Sequence, residues 1–193
     1  MTLPNPDYPV RLEIDYPQRL SRLLIFVKWL LAIPHLIALY VLGIVAYAVL
    51  IIAWFAVLIT GRYPRALFDY LVGFERWRAR VGAYLLLQTD AYPPFKLADD
   101  PAYPVRLEID YPPRIARWRP LLHWLLAIPA LIGAFVVGII AYLAAIVAWF
   151  AILFTGRYPE GLFNAATVAL RWSARVTIYY YWMVEPYPPF VWA

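Results

Sequence analysis

A chain of 193 residues that is 64% hydrophobic and 15% charged carries more apolar surface than a soluble domain can hide, since such domains are about 45–50% apolar and about 25% charged. The net charge of +5 (17 basic minus 12 acidic) comes without a Lys/Arg cluster on a solvated face, so it argues against nucleic acid and for anionic lipid headgroups. With no cysteine, disulfides, thiolate metal sites and a cysteine nucleophile are excluded.

The first fifteen residues, Met1 to Asp15, are polar and Pro-rich with no early apolar stretch, a pattern unlike a signal peptide. Within them begins a repeat. Tyr8-Pro9-Val10-Arg11-Leu12-Glu13-Ile14-Asp15-Tyr16-Pro17 recurs unchanged as Tyr103 to Pro112, an offset of 95 (103 minus 8). The offset holds without insertion: Trp29 to Pro34 matches Trp124 to Pro129, Ala53 to Ala56 matches Ala148 to Ala151, and Tyr92 to Phe95 matches Tyr187 to Phe190. The chain is therefore divided into a first unit over 1–95, a linker over 96–102 and a second unit over 103–193.

Each unit opens on a strand. Val10, Leu12 and Ile14 alternate with Arg11, Glu13 and Asp15, the period of a half-buried strand. Two identical strands, one per unit, invite pairing or similar docking.

A long apolar run follows. Trp29 to Thr60 and Leu121 to Thr155 contain no Asp, Glu, Lys or Arg, and each exceeds the roughly 20 residues that span a bilayer. Two arrangements fit: one helix starting near Pro34, or a hairpin of two spans turning near Gly43 (Gly138 in the second unit). Basic residues flank the run on both sides, Arg11, Arg19 and Arg22 before it and Arg62, Arg65, Arg76, Arg78 and Arg80 after it. The positive-inside rule then favours the hairpin, which keeps them all on one face. Gly61-Arg62-Tyr63-Pro64 ends the run with a C-cap glycine, a cation at the negative helix end and a proline that cannot continue it.

The segment from Arg65 to Thr89 is amphipathic, with Leu67, Leu71, Phe74, Val81 and Leu85 at helical spacing and Glu75, Arg76, Arg78 and Arg80 crowding its middle. Charges at the centre of a spanning helix cost several kcal/mol each. An interfacial helix is expected, with Trp77 and Tyr84 at headgroup depth. Small residues at Gly138, Ala141, Ala144, Ala145 and Ala151 suit close helix packing or self-association.

Together, Ile33-Pro34-His35, Ala53-Trp54-Phe55-Ala56, Thr60-Gly61-Arg62-Tyr63-Pro64, Arg76-Trp77-Arg78-Ala79-Arg80-Val81 and Tyr92-Pro93-Pro94-Phe95 resemble a family of bacterial integral membrane proteins known as domain of unknown function number 4389. The pattern covers nearly the whole chain twice, departing where Ala130 stands for His35. The resemblance implies a duplicated membrane protein and no particular activity.

The candidate sites are few. Arg76 and Arg80 recur as Arg171 and Arg175, an i, i+4 pair on one helix face. They suit either a lipid headgroup or structural ion pairs with Glu13 and Asp15, and with Glu108 and Asp110, of the strands. His35 and His123 are the two histidines, and His123 aligns with Lys28. Neither belongs to a metal-ligand spacing, and no phosphate loop or nucleophile elbow is present. Asp69 and Glu75 align with Asn164 and Leu170, so no acid–base pair recurs. No cofactor is expected, and the apolar runs lack the acidic residue that a pump would need.

The fold expected is mainly α, a helical membrane protein of two tandem repeats, each a short strand, an apolar transmembrane helix or hairpin, and an amphipathic interfacial helix. Its expected place is the bacterial inner membrane, multi-pass, with strands and basic segments cytoplasmic. The expected role is non-catalytic, a structural or accessory subunit whose partners are membrane lipids and either further copies or other membrane subunits. Lipid handling or small-solute transport in a cleft between the repeats is the alternative.

Overall fold

The computed structural model describes residues 8–189; the first seven residues of the Pro-rich N-terminus and Phe190 of the second Tyr-Pro-Pro-Phe lie outside them. The elements are β1 (Val10–Ile14), α1 (Leu24–Thr60), α2 (Arg65–Leu85), β2 (Val105–Ile109), α3 (Arg119–Thr155) and α4 (Glu160–Tyr180). Each repeat thus gives a strand, one long apolar helix and one shorter amphipathic helix.

The apolar run is one unbroken helix of 37 residues in each repeat. The favoured hairpin does not form. Tyr40-Val41-Leu42-Gly43 holds no polar turn residue, and a bend there would strip backbone groups of partners in an apolar stretch. Pro34 and Pro129 lie inside the helices, where a proline removes one backbone donor. Each helix ends on a left-handed glycine, Gly61 (φ 67°) and Gly156 (φ 69°), whose N–H bonds back to Val57 O and Ile152 O at 2.8 Å. That conformation favours a residue without Cβ.

The strands pair antiparallel, and the register sets Leu12 against Leu107 at its centre. These are equivalent residues of the two units (12 plus 95), so a pseudo-dyad passes between them. Contacts elsewhere come in matching pairs. Leu20 N–H bonds to Gly156 O at 2.9 Å, and Ile115 N–H to Gly61 O at 3.0 Å. The hydroxyl of Tyr16 donates to Tyr158 O, and that of Tyr111 to Tyr63 O. The N-terminal approach of each long helix therefore abuts the C-terminal end of the other, and the units are interlocked.

The elements form three layers. The long helices α1 and α3 pack on α2 and α4, and these carry the two-stranded ribbon, β2 on α2 and β1 on α4. Each strand thus lies on the amphipathic helix of the other sequence repeat. The alternation read from sequence is realised: Val10, Leu12, Val105 and Leu107 are buried inward while Glu13 and Glu108 face out. Trp77 and Tyr84, expected at headgroup depth, are instead 6% and 1% exposed. Trp77 meets His35 and Phe95, and Tyr84 meets Lys28 and Tyr92. The middle layer leaves them no outer face.

Candidate functional site

Three of the four recurring arginines donate to backbone oxygens, and among the described residues none forms an ion pair with a strand carboxylate; Arg76 Nε lies 3.8 Å from Asp99 Oδ1 of the linker. Arg76 Nε donates to Leu107 O at 2.9 Å, and Arg171 Nε to Leu12 O at 3.2 Å, again a dyad-related pair. Arg80 donates to Lys96 O (3.2 Å) and Ala98 O (3.0 Å) of the linker and lies 5.9 Å from the Tyr103 ring centre. Arg175 lies 5.2 Å from the Tyr8 ring centre. Its side-chain nitrogens are buried without an acceptor among the described residues.

The acids expected opposite these arginines pair with the other strand. Arg11 chelates Asp110 at 2.7 and 2.9 Å and touches Glu108 at 3.3 Å. Arg106 chelates Asp15 at 2.7 and 2.8 Å and reaches Glu13 at 3.5 Å. Strand parity is the reason: residues 11, 13 and 15 share the outer face, whereas α2 and α4 see the face of residues 10, 12 and 14. Hydrogen bonding from Arg106 and Arg11 holds the Asp15 and Asp110 carboxyls below the usual carboxylate range.

Three polar contacts lay beyond the sequence reading. Lys28, 1% exposed, sits 2.7 Å from Asp90 Oδ1 and bonds to Thr89 O at 2.7 Å. Glu75, also 1% exposed, is clasped by Arg78 at 2.6 Å, and Arg78 continues across the dyad to Thr177 Oγ1 at 3.0 Å. Burial raises the Glu75 pKa, and the Arg78 charge opposes this. His35 Nδ1 accepts from Trp77 Nε1 at 3.1 Å, while Phe95 stacks on the ring at 4.0 Å. For Lys28 alone there was a signal: it is the last charge before the apolar run, so it needs a partner.

Two apolar grooves open beside the long helices. One, of about 440 Å³, lies between the Gly43–Trp54 stretch of α1 and the Tyr181–Trp182 corner after α4. The other, of about 420 Å³, lies between the Tyr142–Phe150 stretch of α3 and the Leu85–Leu87 corner, with Lys28 on its wall. They occupy corresponding places in the two units. Among the described residues no His, Asp and Glu group could hold a metal ion. The arrangement offers ion pairing and apolar contact.

These features define a class: a tandem-duplicated, dyad-arranged helical protein with two helices long and apolar enough to cross a membrane. The chain belongs to the family described as Domain of unknown function (DUF4389), whose model matches residues 22–96 and again 117–191. No curated protein and no solved structure matches the chain.

Proposed function

We propose that this protein is a non-catalytic component of the bacterial cytoplasmic membrane, structural or accessory in role, acting by packing against lipid and other membrane subunits or further copies of itself. One observation carries the reading: α1 and α3 keep an apolar face open along their length, from Phe26 (48% exposed) to Ile59 (67%) in α1 and from Leu121 (47%) to Phe154 (73%) in α3. Such a face needs a hydrophobic surrounding. The charged groups in contrast mostly find partners within the fold, at the ribbon, at Lys28–Asp90 and at Glu75–Arg78.

The paired grooves support a second reading, lipid handling, since an acyl chain would fill either one. Mass spectrometry of the protein extracted in native lipid particles separates the two. A stoichiometric protein partner, or a discrete homo-oligomer without a distinctive lipid, is expected. Enrichment of one lipid class on a monomer would replace the structural reading with lipid handling.

A further inference from the structure

We infer that the α1/α3 face docks into one leaflet of an anionic bilayer, with both long helices lying along the membrane plane and the ribbon facing the water on that same side. The inference rests on the membrane reading above. It identifies the partner of the open apolar face as a single lipid leaflet, and three observations carry it.

Length comes first. At 1.5 Å per residue, 37 residues give about 56 Å, and apolar exposure runs from end to end. To fit within the roughly 30 Å hydrocarbon layer, such a helix would tilt by about 58°, outside the usual range of about 0–40°.

The ribbon comes second. Tyr16, just past β1, reaches the corner at Tyr158, and Tyr111, just past β2, reaches the corner at Tyr63. The ribbon therefore lies between the two ends of the long helices, on the far side of α2 and α4. If α1 stood along the bilayer normal, Glu13, Asp15, Glu108 and Asp110, each more than half exposed, would sit near mid-membrane. Charges there cost several kcal/mol each. With the helices in the plane, the same residues face water.

The arginines come third. Exposed Arg19, Arg22 and Arg157 share the corner where Leu20 meets Gly156, and exposed Arg62, Arg114 and Arg117 share the corner where Ile115 meets Gly61. Crossing helices would put these two clusters on opposite membrane faces, against the positive-inside rule. In-plane helices bring both to one headgroup layer, where each cation gains about 1 kcal/mol from anionic lipid.

The cysteine-free chain permits a direct test with single-cysteine variants of the full-length protein. Gln18→Cys and Ala66→Cys mark the two corners, Glu13→Cys the ribbon and Ile44→Cys the apolar face. Membrane vesicles sealed inside-out and right-side-out are treated with a membrane-impermeant maleimide. The first three sites should label at least tenfold more in inside-out vesicles, and Ile44→Cys only after detergent. Labelling of Gln18→Cys and Ala66→Cys from opposite sides would make α1 a crossing helix and overturn the inference while sparing the membrane reading. Labelling of Ile44→Cys without detergent would remove both.

Discussion

The two repeats fold alike and differ in where they keep buried charge. In the first, Lys28 is enclosed and pairs with Asp90 at the far end of α2. In the second, His123 takes the place of Lys28 and lies edge-on against Tyr179, with ring centres 4.0 Å apart. The acid is retained as Glu185, and its partner becomes Arg119, 3.6 Å away. Arg119 corresponds to Leu24, four residues before the Lys28 position, so the pair has slid one helical turn towards the end of the helix. His35 and Glu75 likewise become Ala130 and Leu170. A dyad-arranged scaffold thus tolerates opposite choices of polar and apolar interior at equivalent places.

The sharpest way to break the comparison is to remove the acid on each side. Asp90→Asn leaves the Lys28 ammonium buried without its counter-ion, and breaking a buried pair costs about 3–5 kcal/mol. Glu185→Gln acts on a pair whose acid is 47% exposed, where water substitutes, and about 1 kcal/mol or less is expected. Thermal unfolding in mild detergent compares them. Equal losses would mean that the two pairs are equivalent after all.

A smaller effect distinguishes the helices by sign. Gly73 and Gly138 are both interior helix glycines, and alanine normally stabilises such sites by about 1 kcal/mol. A Cβ at Gly73 would lie 2.8 Å from Leu97 Cβ and 3.0 Å from Leu97 O of the linker, whereas one at Gly138 meets nothing within 4 Å. Gly73→Ala should therefore destabilise, by about 1–3 kcal/mol as overpacking does. Gly138→Ala should stabilise by up to about 1 kcal/mol. Stabilisation by Gly73→Ala would show that the linker is not seated on α2.

The clash at Gly73 marks what sequence could not reach. The strands, the two apolar helices and the glycine caps were legible because period, composition and turn chemistry are local. The pairing of identical strands was invited by the duplicated decapeptide, although its antiparallel sense and the exchange of strands between repeats were not. The partners of Arg76 and Arg80 were misread even though the information was present: Glu13 and Asp15 share parity with Arg11, so a register alone would have sent them to the arginine of the opposite strand. Lys28–Asp90 and Gly73–Leu97 depend on how α1, α2 and the linker fold back, and no spacing rule encodes that. The hairpin was misjudged because charge counts say nothing of whether Tyr40 to Gly43 can turn, and each run is one unbroken helix.

The smallest effect belongs to the ribbon, where the units should agree. Asp15 and Asp110 have folded pKa values held below their ordinary values by Arg106 and Arg11. A carboxyl depressed on folding adds stability that is fully present above its unfolded pKa, about 4, and lost as pH falls through the folded value. The contribution of these two acids should therefore be flat above about pH 5 and decline below about pH 4. Both acids are more than half exposed, so the loss from each is modest, within the range of about 0–1 kcal/mol for surface pairs. Asp15→Asn and Asp110→Asn should each remove a similar part of that decline, because the register makes their chelates equivalent. Unequal contributions, read from melting temperatures between pH 3 and pH 6 in mild detergent, would show that the pseudo-dyad does not extend to the ribbon's electrostatics.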